Sequence, residues 1–402
     1  MKKWLSLLLF GVALPAGALT LRLNENPIFD KPPQFVREVP NGRLELVGEG
    51  DDAIQIAQVW GTPYEMGFAA GTLLKKEISA YLENVISLMV EKLGGDPELI
   101  DRVYELSHPY IPEHYMEEMQ GLAKGSDQEF KALMRANLIG ETSEWHCSLF
   151  GAWGAATAST QSLLQLRALD YSVDAEIQRF PVITVYHPDE GHAFANIGWS
   201  GMIGAVTGMS SSQLAISEIG DDYDAENDTF EGVPFAFLLR DILQFDNTLD
   251  EAVARLQKSP RTTSLMYAVG DGKKGEARSF QTSHTLCNVF NPDNLEPVTP
   301  THPRIKDIVY WGMSWNVPQY DGPLSEMLKK HYGKLTPEIT IREILPTVRT
   351  GSLQVAIYDL THMILYTANA RAKDEKGPLN AYERQFIKLD MKKLFGEKEP
   401  KI

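Results

Sequence analysis

The order of hydrophobic patterns along the chain predicts an α+β fold, a layered sandwich of mainly antiparallel sheets with helices packed on it. Three observations carry that prediction. Apolar residues recur at helical spacing through much of the first third. From residue 147 the pattern changes to short β-prone runs separated by small or turn residues. One helical passage then interrupts the strands, which resume toward the C-terminus. With 402 residues and 43% hydrophobic content, the chain can bury a sizeable core without cross-links.

The elements follow in order. After a Pro-rich approach, "NPIFDKPPQFVREVP", the segment "AIQIAQVWG" alternates as a strand does. In "GTPYEMGFAAGTLLKKEISAYLENVISLMVEKLG", Pro63 suits a first helical turn, and Met66, Ala69, Leu73 and Leu74 recur at helical spacing. Shorter helices are predicted in "PELIDRVYELSHPY", "PEHYMEEMQGLAKG" and "SDQEFKALMRANLIGE". In the last of these, Ser126 and Glu129 have capping-box spacing. The β-prone runs are "CSLFGAWGAATAS", "SLLQLRALDY", "FPVITVYHP", "GHAFANIGW", "GAVTGMSS" and "QLAISEIG". "VPFAFLLRDILQFDNTLDEAVARLQKS" predicts two helices broken near Asp246 and Asn247. Strands return in "TTSLMYAVGDG", "GEARSFQTS" and "LQVAIYDLTHMILYTANA".

The N-terminus has the form of an export signal: Lys2 and Lys3, an apolar stretch over 4–14, then the small residues Ala16, Gly17 and Ala18. Residues 1–18 are expected to be removed, leaving a protein in a secreted, periplasmic or lysosome-like compartment. No stable membrane anchor is expected, because no run reaches about 18 apolar residues. The formal charge of −16, from 54 acids against 38 bases and without a basic stripe, disfavours nucleic acid and anionic membranes as partners. In an oxidising compartment Cys147 and Cys287, the two cysteines, could form one disulfide. A glycosylation sequon, "NDT" at Asn227, lies in the acidic loop "GDDYDAENDTFEG".

The chain has no HExxH, no Cys/His cluster at metal spacing and no G-x-G-x-x-G after a strand, so neither metal nor cofactor is expected. "HPDEGH" suits a polar hairpin turn. "GWSGMIG" comes near the G-x-S-x-G elbow, but Met202 stands where the second glycine belongs, which leaves Ser200 a strand or turn serine. Cys147, in "ETSEWHCSLFGAWG", opens the first β-run. Taken alone it is a buried structural thiol, half of a disulfide, or a nucleophile. An N-terminal nucleophile needs little more than this placement. Self-cleavage frees its own α-amino group, whose pKa near ~8 suits a base at working pH.

Several passages go further. "GTPYEMGFAAGTLL" (61–74) matches G-x-x-Y-E-x-G-x-x-x-G, and "YMEEMQGLAKGS" matches the helix before a nucleophile. "CSLFGAWGAATASTQSLLQLRALDY", "GWSGMIGAVTGMSSSQLAISE" and "FLLRDILQFDNTLDEAVARL" follow in matching order. Together they resemble the acid ceramidase / penicillin acyltransferase group of cysteine N-terminal nucleophile hydrolases, peptidase family C45. Within it the resemblance is to secreted dcd1-like proteins, and more distantly to phospholipase B-like proteins.

The resemblance implies a four-layer αββα sandwich. It divides the chain into a signal peptide (1–18), a helical N-terminal part (19–146) and a β-rich part (147–402). The last two become small and large subunits that stay associated after a cut at His146–Cys147. Cys147 is then the nucleophile. Arg167 and Asp170 match the family's R-x-x-D pair, set beside the Cys147 amine, with Arg167 fixing both amine and carboxylate. Glu218, in "AISE", matches an acid near the site, and Asn196, Trp199 and Gly201 line the substrate pocket. The implied reaction is hydrolysis of linear, non-peptide amide C–N bonds in an N-acylated or lipid-like small molecule, through a thioester, with acyl transfer as a variant. A phospholipase B-like esterase and a non-catalytic secreted protein are the alternatives. Two departures stand out: Ala168 replaces the usual Asn of R-N-x-D, and "TPTHPR" (299–304) occupies the place of a T-N-H segment without its oxyanion-binding Asn.

Overall fold

The computed structural model describes residues 21–92, 98–142, 146–171, 176–221, 223–295, 300–312 and 320–400. The leader expected over 1–18 lies outside them. Three strands open the chain: β1 (Gln34–Val39), β2 (Gly42–Val47) and β3 (Ile54–Gly61). Only β3 is evident from its alternation. β1 is an edge strand exposed along nearly its whole length, so no apolar face marks it in the sequence.

β3 passes into α1 (Pro63–Leu73) through Gly61, whose φ of +105° favours glycine. Thr62 caps that helix: its hydroxyl accepts from Glu65 N at 3.3 Å, and the Glu65 carboxylate accepts Thr62 N at 2.8 Å. Then come α2 (Lys75–Lys92), α3 (Glu98–Ser107), α4 (Glu113–Ser126) and α5 (Phe130–Leu138). The capping box expected at Ser126 and Glu129 does not form. Ser126 is the last residue of α4, and its hydroxyl donates back to Leu122 O at 2.6 Å. Left-handed Asp127 (φ +59°) turns the chain before α5.

α1 and α4 touch backbone to backbone. A Cβ on Gly67 or Gly71 would collide with the carbonyl of Glu118 or Leu122, and one on Gly121 or Gly125 with that of Tyr64 or Phe68. The glycines of "GFAAG" and "GLAKG" are therefore two halves of one interhelical contact.

The remaining strands are β4 (His146–Ala152), β5 (Leu164–Asp170), β6 (Pro181–Pro188), β7 (Phe194–Trp199), β8 (Thr207–Ser210) and β9 (Leu214–Gly220). After α6 (Phe235–Phe245) and α7 (Leu249–Lys258) come β10 (Leu265–Asp271), β11 (Glu276–Thr282), β12 (Cys287–Phe290) and β13 (Ile308–Gly312). Helix α8 (Asp321–Lys330), a helical run over 337–348, then β14 (Gln354–Asp359), β15 (Ile364–Asn369) and β16 (Ile387–Asp390) complete the chain. The break between α6 and α7 falls where expected, with a second capping box at Thr248 and Glu251.

The strands form two sheets. The larger runs β1-β2-β3-β6-β7-β8-β9-β10-β11-β12 and the smaller β13-β4-β5-β14-β15-β16. β3–β6 is the one parallel pair among the described strands. The sheets face each other across β4, β5, β9, β10 and β11. Gly151 of β4 lies so close to Ala277 of β11 that no larger residue fits, and Gln165 donates across to Ser217 Oγ at 2.9 Å. Helices α1, α6 and α7 pack on the larger sheet, and α8 with the C-terminal helical turns on the smaller. The fold is thus the predicted four-layer αββα sandwich. The N-terminal part is more than helical, since its three strands continue the larger sheet.

Candidate active site

Cys147 is the second residue of β4, flanked by β13 and β5 in the smaller sheet. Register pairs it with Leu169 and pairs His146 with Asp170, so the His146–Cys147 bond lies within the strand. Cys147 is 0% exposed. Both cysteines are free thiols, which rules out the disulfide. Burial pushes the Cys147 thiol well up; the Arg167 charge opposes this, while Glu218 and Asp170 add to it. In the intact chain the sulfur keeps its proton, and attack requires a base.

Arg167 pairs with Leu149 and so shares the face of Cys147, toward the larger sheet. There its Nε donates to Glu218 O and its Nη2 to Glu218 Oε2, both at 3.0 Å. β8 makes this possible by stopping at Thr207↔Ser217, one residue short of Glu218. Both side chains are essentially without solvent contact, at 0% and 2%. Burial pushes the Glu218 carboxyl up, and Arg167 holds it back. Two atoms of the pair, Arg167 Nη1 and Glu218 Oε1, are buried without a hydrogen-bond partner.

Asp170 points to the opposite face of β5. Its Oδ2 accepts Thr350 Oγ1 at 2.7 Å, and its Oδ1 accepts the amides of Gly351 and Ser352 at 3.0 and 2.8 Å. Burial pushes this carboxyl up to about 6, against the pull of those donors. The structure therefore brings Cys147, Arg167, Asp170 and Glu218 together on β4, β5 and β9. It does not make the expected link from Arg167 to Asp170, because the alternation of β5 turns Arg167 toward Glu218 and Asp170 the other way, toward Thr350.

Beside Glu218 lies a cleft of about 680 Å³, counted with the solvent at its mouth. Ile139, Ile177, Trp199, Met202 and Phe235 give it apolar walls, with Glu141, Glu218 and two tyrosines, Tyr81 and Tyr171, among its lining. Of the three expected pocket residues, Trp199 is in the wall, with its indole Nε1 buried and unpaired. Asn196 and Gly201 stand behind it. Asn196 Nδ2 donates to Gly204 O at 2.9 Å, while Asn137 accepts from Ile203 N at 2.8 Å and donates to Gly201 O at 2.9 Å. Arg240, salt-bridged to Glu118 at 2.5 Å, donates to Ile203 O at 2.8 Å. Gly201 (φ +92°) makes the turn these groups hold, and the turn presents Met202 and Val206 to the cleft.

Glu141 and Thr350 carry no sequence signal that marks them. Glu141 is buried, accepts Phe235 N at the start of α6 at 2.8 Å, and has its carboxyl pushed up to about 7 by burial. At "TPTHPR", His302 stacks at 4.3 Å on both Tyr310 and Trp311, with Nδ1 3.0 Å from Asp321 Oδ2. That is a packed strut beside β13; Thr299 lies outside the described residues.

The family model for acyl-coenzyme A:6-aminopenicillanic acid acyl-transferase matches residues 159–301, a stretch that holds Arg167, Asp170 and Glu218 and begins just after Cys147. Protein dcd1A of Dictyostelium discoideum is 31% identical, the match covering 93% of each chain. Protein dcd1B of the same organism is 30% identical over 93% of this chain and 81% of its own. Among solved structures, the Caenorhabditis elegans N-acylethanolamine-hydrolyzing acid amidase ortholog overlays 54% of this chain and 93% of its own, at 15% identity and a TM-score of 0.40. Penicillin V acylase from Agrobacterium tumefaciens overlays 61% and 87%, at 13% identity and 0.39. With near-complete coverage of dcd1A and a cysteine, arginine and aspartate on neighbouring strands, the chain belongs to the dcd1 proteins of the penicillin acyltransferase-like, C45-type N-terminal nucleophile hydrolase family.

Proposed function

We propose that the protein is an exported cysteine amidohydrolase that matures by cutting its own His146–Cys147 bond. The observation that carries this is the placement of Cys147 near the start of β4, with Arg167 and Asp170 on the neighbouring strand and an apolar cleft at Glu218. In the first cut, Cys147 Sγ attacks the His146 carbonyl carbon, the thiol proton passes to the Cys147 nitrogen, and the peptide C–N bond breaks to leave a thioester to His146. Water then releases the thioester, leaving a free α-amino group on Cys147. In each later cycle that amine takes the thiol proton, sulfur adds to the acyl carbon of a substrate amide, and the leaving amine departs protonated. Hydrolysis of the thioester returns the enzyme; an amine acceptor in place of water makes the reaction a transfer.

The cleft supports a linear N-acyl or lipid-like substrate. Its walls suit a hydrocarbon chain, and Glu218 Oε1 with Trp199 Nε1 offers one unpaired acceptor and one unpaired donor to a polar end. The two cut chains stay together because the larger sheet contains strands of both. Denaturing gels of the mature protein should show fragments of roughly 14 and 28 kDa, at about 110 Da per residue. These should co-elute without denaturant, and Cys147→Ala should remain one chain. A cut that persists in Cys147→Ala would end this reading. Release of amine from N-acyl amides, set against fatty acid release from phospholipids, separates an amidase from an esterase.

A further inference from the structure

The loop ahead of β14 carries Thr350, whose hydroxyl lies 2.7 Å from Asp170 Oδ2 and 2.8 Å from Ser148 Oγ. All three side chains are buried. A threonine hydroxyl has one proton and an ionised carboxylate has none, so the order of donation is set: Ser148 donates to Thr350, and Thr350 donates to Asp170. Gly351 and Ser352 hold the other oxygen of the same carboxylate through their amides. Every group in this chain of bonds lies downstream of the His146–Cys147 junction.

We propose that Thr350 is a positioning residue for the nucleophile, tying Ser148 to Asp170 so that Cys147 is held for attack on the His146 carbonyl and keeps its place when the chain ahead of it is cut away. This rests on Cys147 being the nucleophile. The need for such a tie is physical. A strand that begins at its own reactive residue has nothing upstream to hold its end, and free chain ends lose order. Attack demands reacting atoms within about 3–3.5 Å and correctly oriented. Ser148 is the first residue past Cys147, so a bond on its side chain anchors the end at the nearest available point. Asp170 sits opposite His146, across from the new terminus, and the same tie holds its carboxylate there.

The test uses the full chain and needs no substrate. Thr350→Val keeps the shape of threonine without its hydroxyl; Thr350→Ser keeps the hydroxyl. The rate of the cut is followed on denaturing gels. Cys147 of the folded protein is then alkylated with iodoacetamide across the acid to alkaline range, with peptide mass spectrometry to separate it from Cys287. Thr350→Val should slow the cut by about tenfold or more. It should also move the acid limb of the alkylation profile up by about 1 pH unit, because a donor to the ionised Asp170 is gone. Thr350→Ser should restore both. A Thr350→Val chain that is cut and alkylated like the wild type overturns the proposal, as does a serine variant no better than valine. Should Thr350→Val fail to fold, Ser148→Ala removes the other end of the same tie and is held to the same outcomes. A wild-type chain that is never cut overturns this inference and the nucleophile reading together; a normally cut wild type beside an unaffected Thr350→Val overturns only this one.

Discussion

A guanidinium with no exposed surface must have its charge met inside the protein, and Arg167 meets Glu218 at 3.0 Å. Replacing Arg167 by Met strands a buried carboxylate. In the uncut Cys147→Ala background, Arg167→Met is expected to cost about 3–5 kcal/mol in urea unfolding. The double variant Arg167→Met/Glu218→Met should cost less than that single one, because no lone charge remains. Additive losses would show that the pair is not coupled. Cys147, Arg167 and Glu218 were singled out only through the family resemblance carried by "CSLF", "RALD" and "AISE"; composition and spacing alone left Cys147 open among three roles. Glu141 and Thr350 were not, since their partners Phe235 and Asp170 lie 94 and 180 residues away in the chain. Spacing says nothing about a contact formed only when two sheets close.

Among elements, the α1–α4 contact shows how packing overrides propensity. In a free helix, Gly121→Ala would gain about 0.8–1 kcal/mol. Here the new methyl meets the Tyr64 carbonyl, and overpacking of this kind commonly costs about 1–3 kcal/mol. A lower melting temperature is therefore expected for Gly121→Ala, and a rise would mean the helices can part freely. The strands that sequence reasoning found, β3 through β11 together with β14 and β15, alternate or are bounded by turn residues. β13 was missed: its five buried residues, "IVYWG", form an apolar run too short to assign by period. That omission matters, because β13 is the strand that covers β4 on the side away from Arg167 and Asp170.

At the scale of the whole molecule, Glu141 joins the end of the N-terminal part to α6. Its carboxyl, raised to about 7 when folded, prefers the proton in the native state. The stability it contributes is fully present below its unfolded value near ~4.5 and is lost as pH rises through about 7. Glu141→Gln should remove that loss while still accepting from Phe235. The variant should gain on the wild type between pH 5 and pH 8, by up to about 3 kcal/mol, in chemical unfolding. A constant difference across that range would count against a buried, titrating Glu141.

The pairing of β3 with β6 has a consequence of its own. The larger sheet takes β1–β3 from one side of residue 147 and β6–β12 from the other. While the chain is continuous, closing that sheet is a loop-closure problem within one molecule. After a cut at 146–147 it becomes an encounter between two molecules, whose success depends on concentration. Neither fragment carries the larger sheet edge to edge, and each would expose a strand edge, at β3 or at β6, prone to wrong partners. The uncut chain would then be the only form able to fold efficiently, and the cut form would hold its shape by slow unfolding rather than by the ability to return.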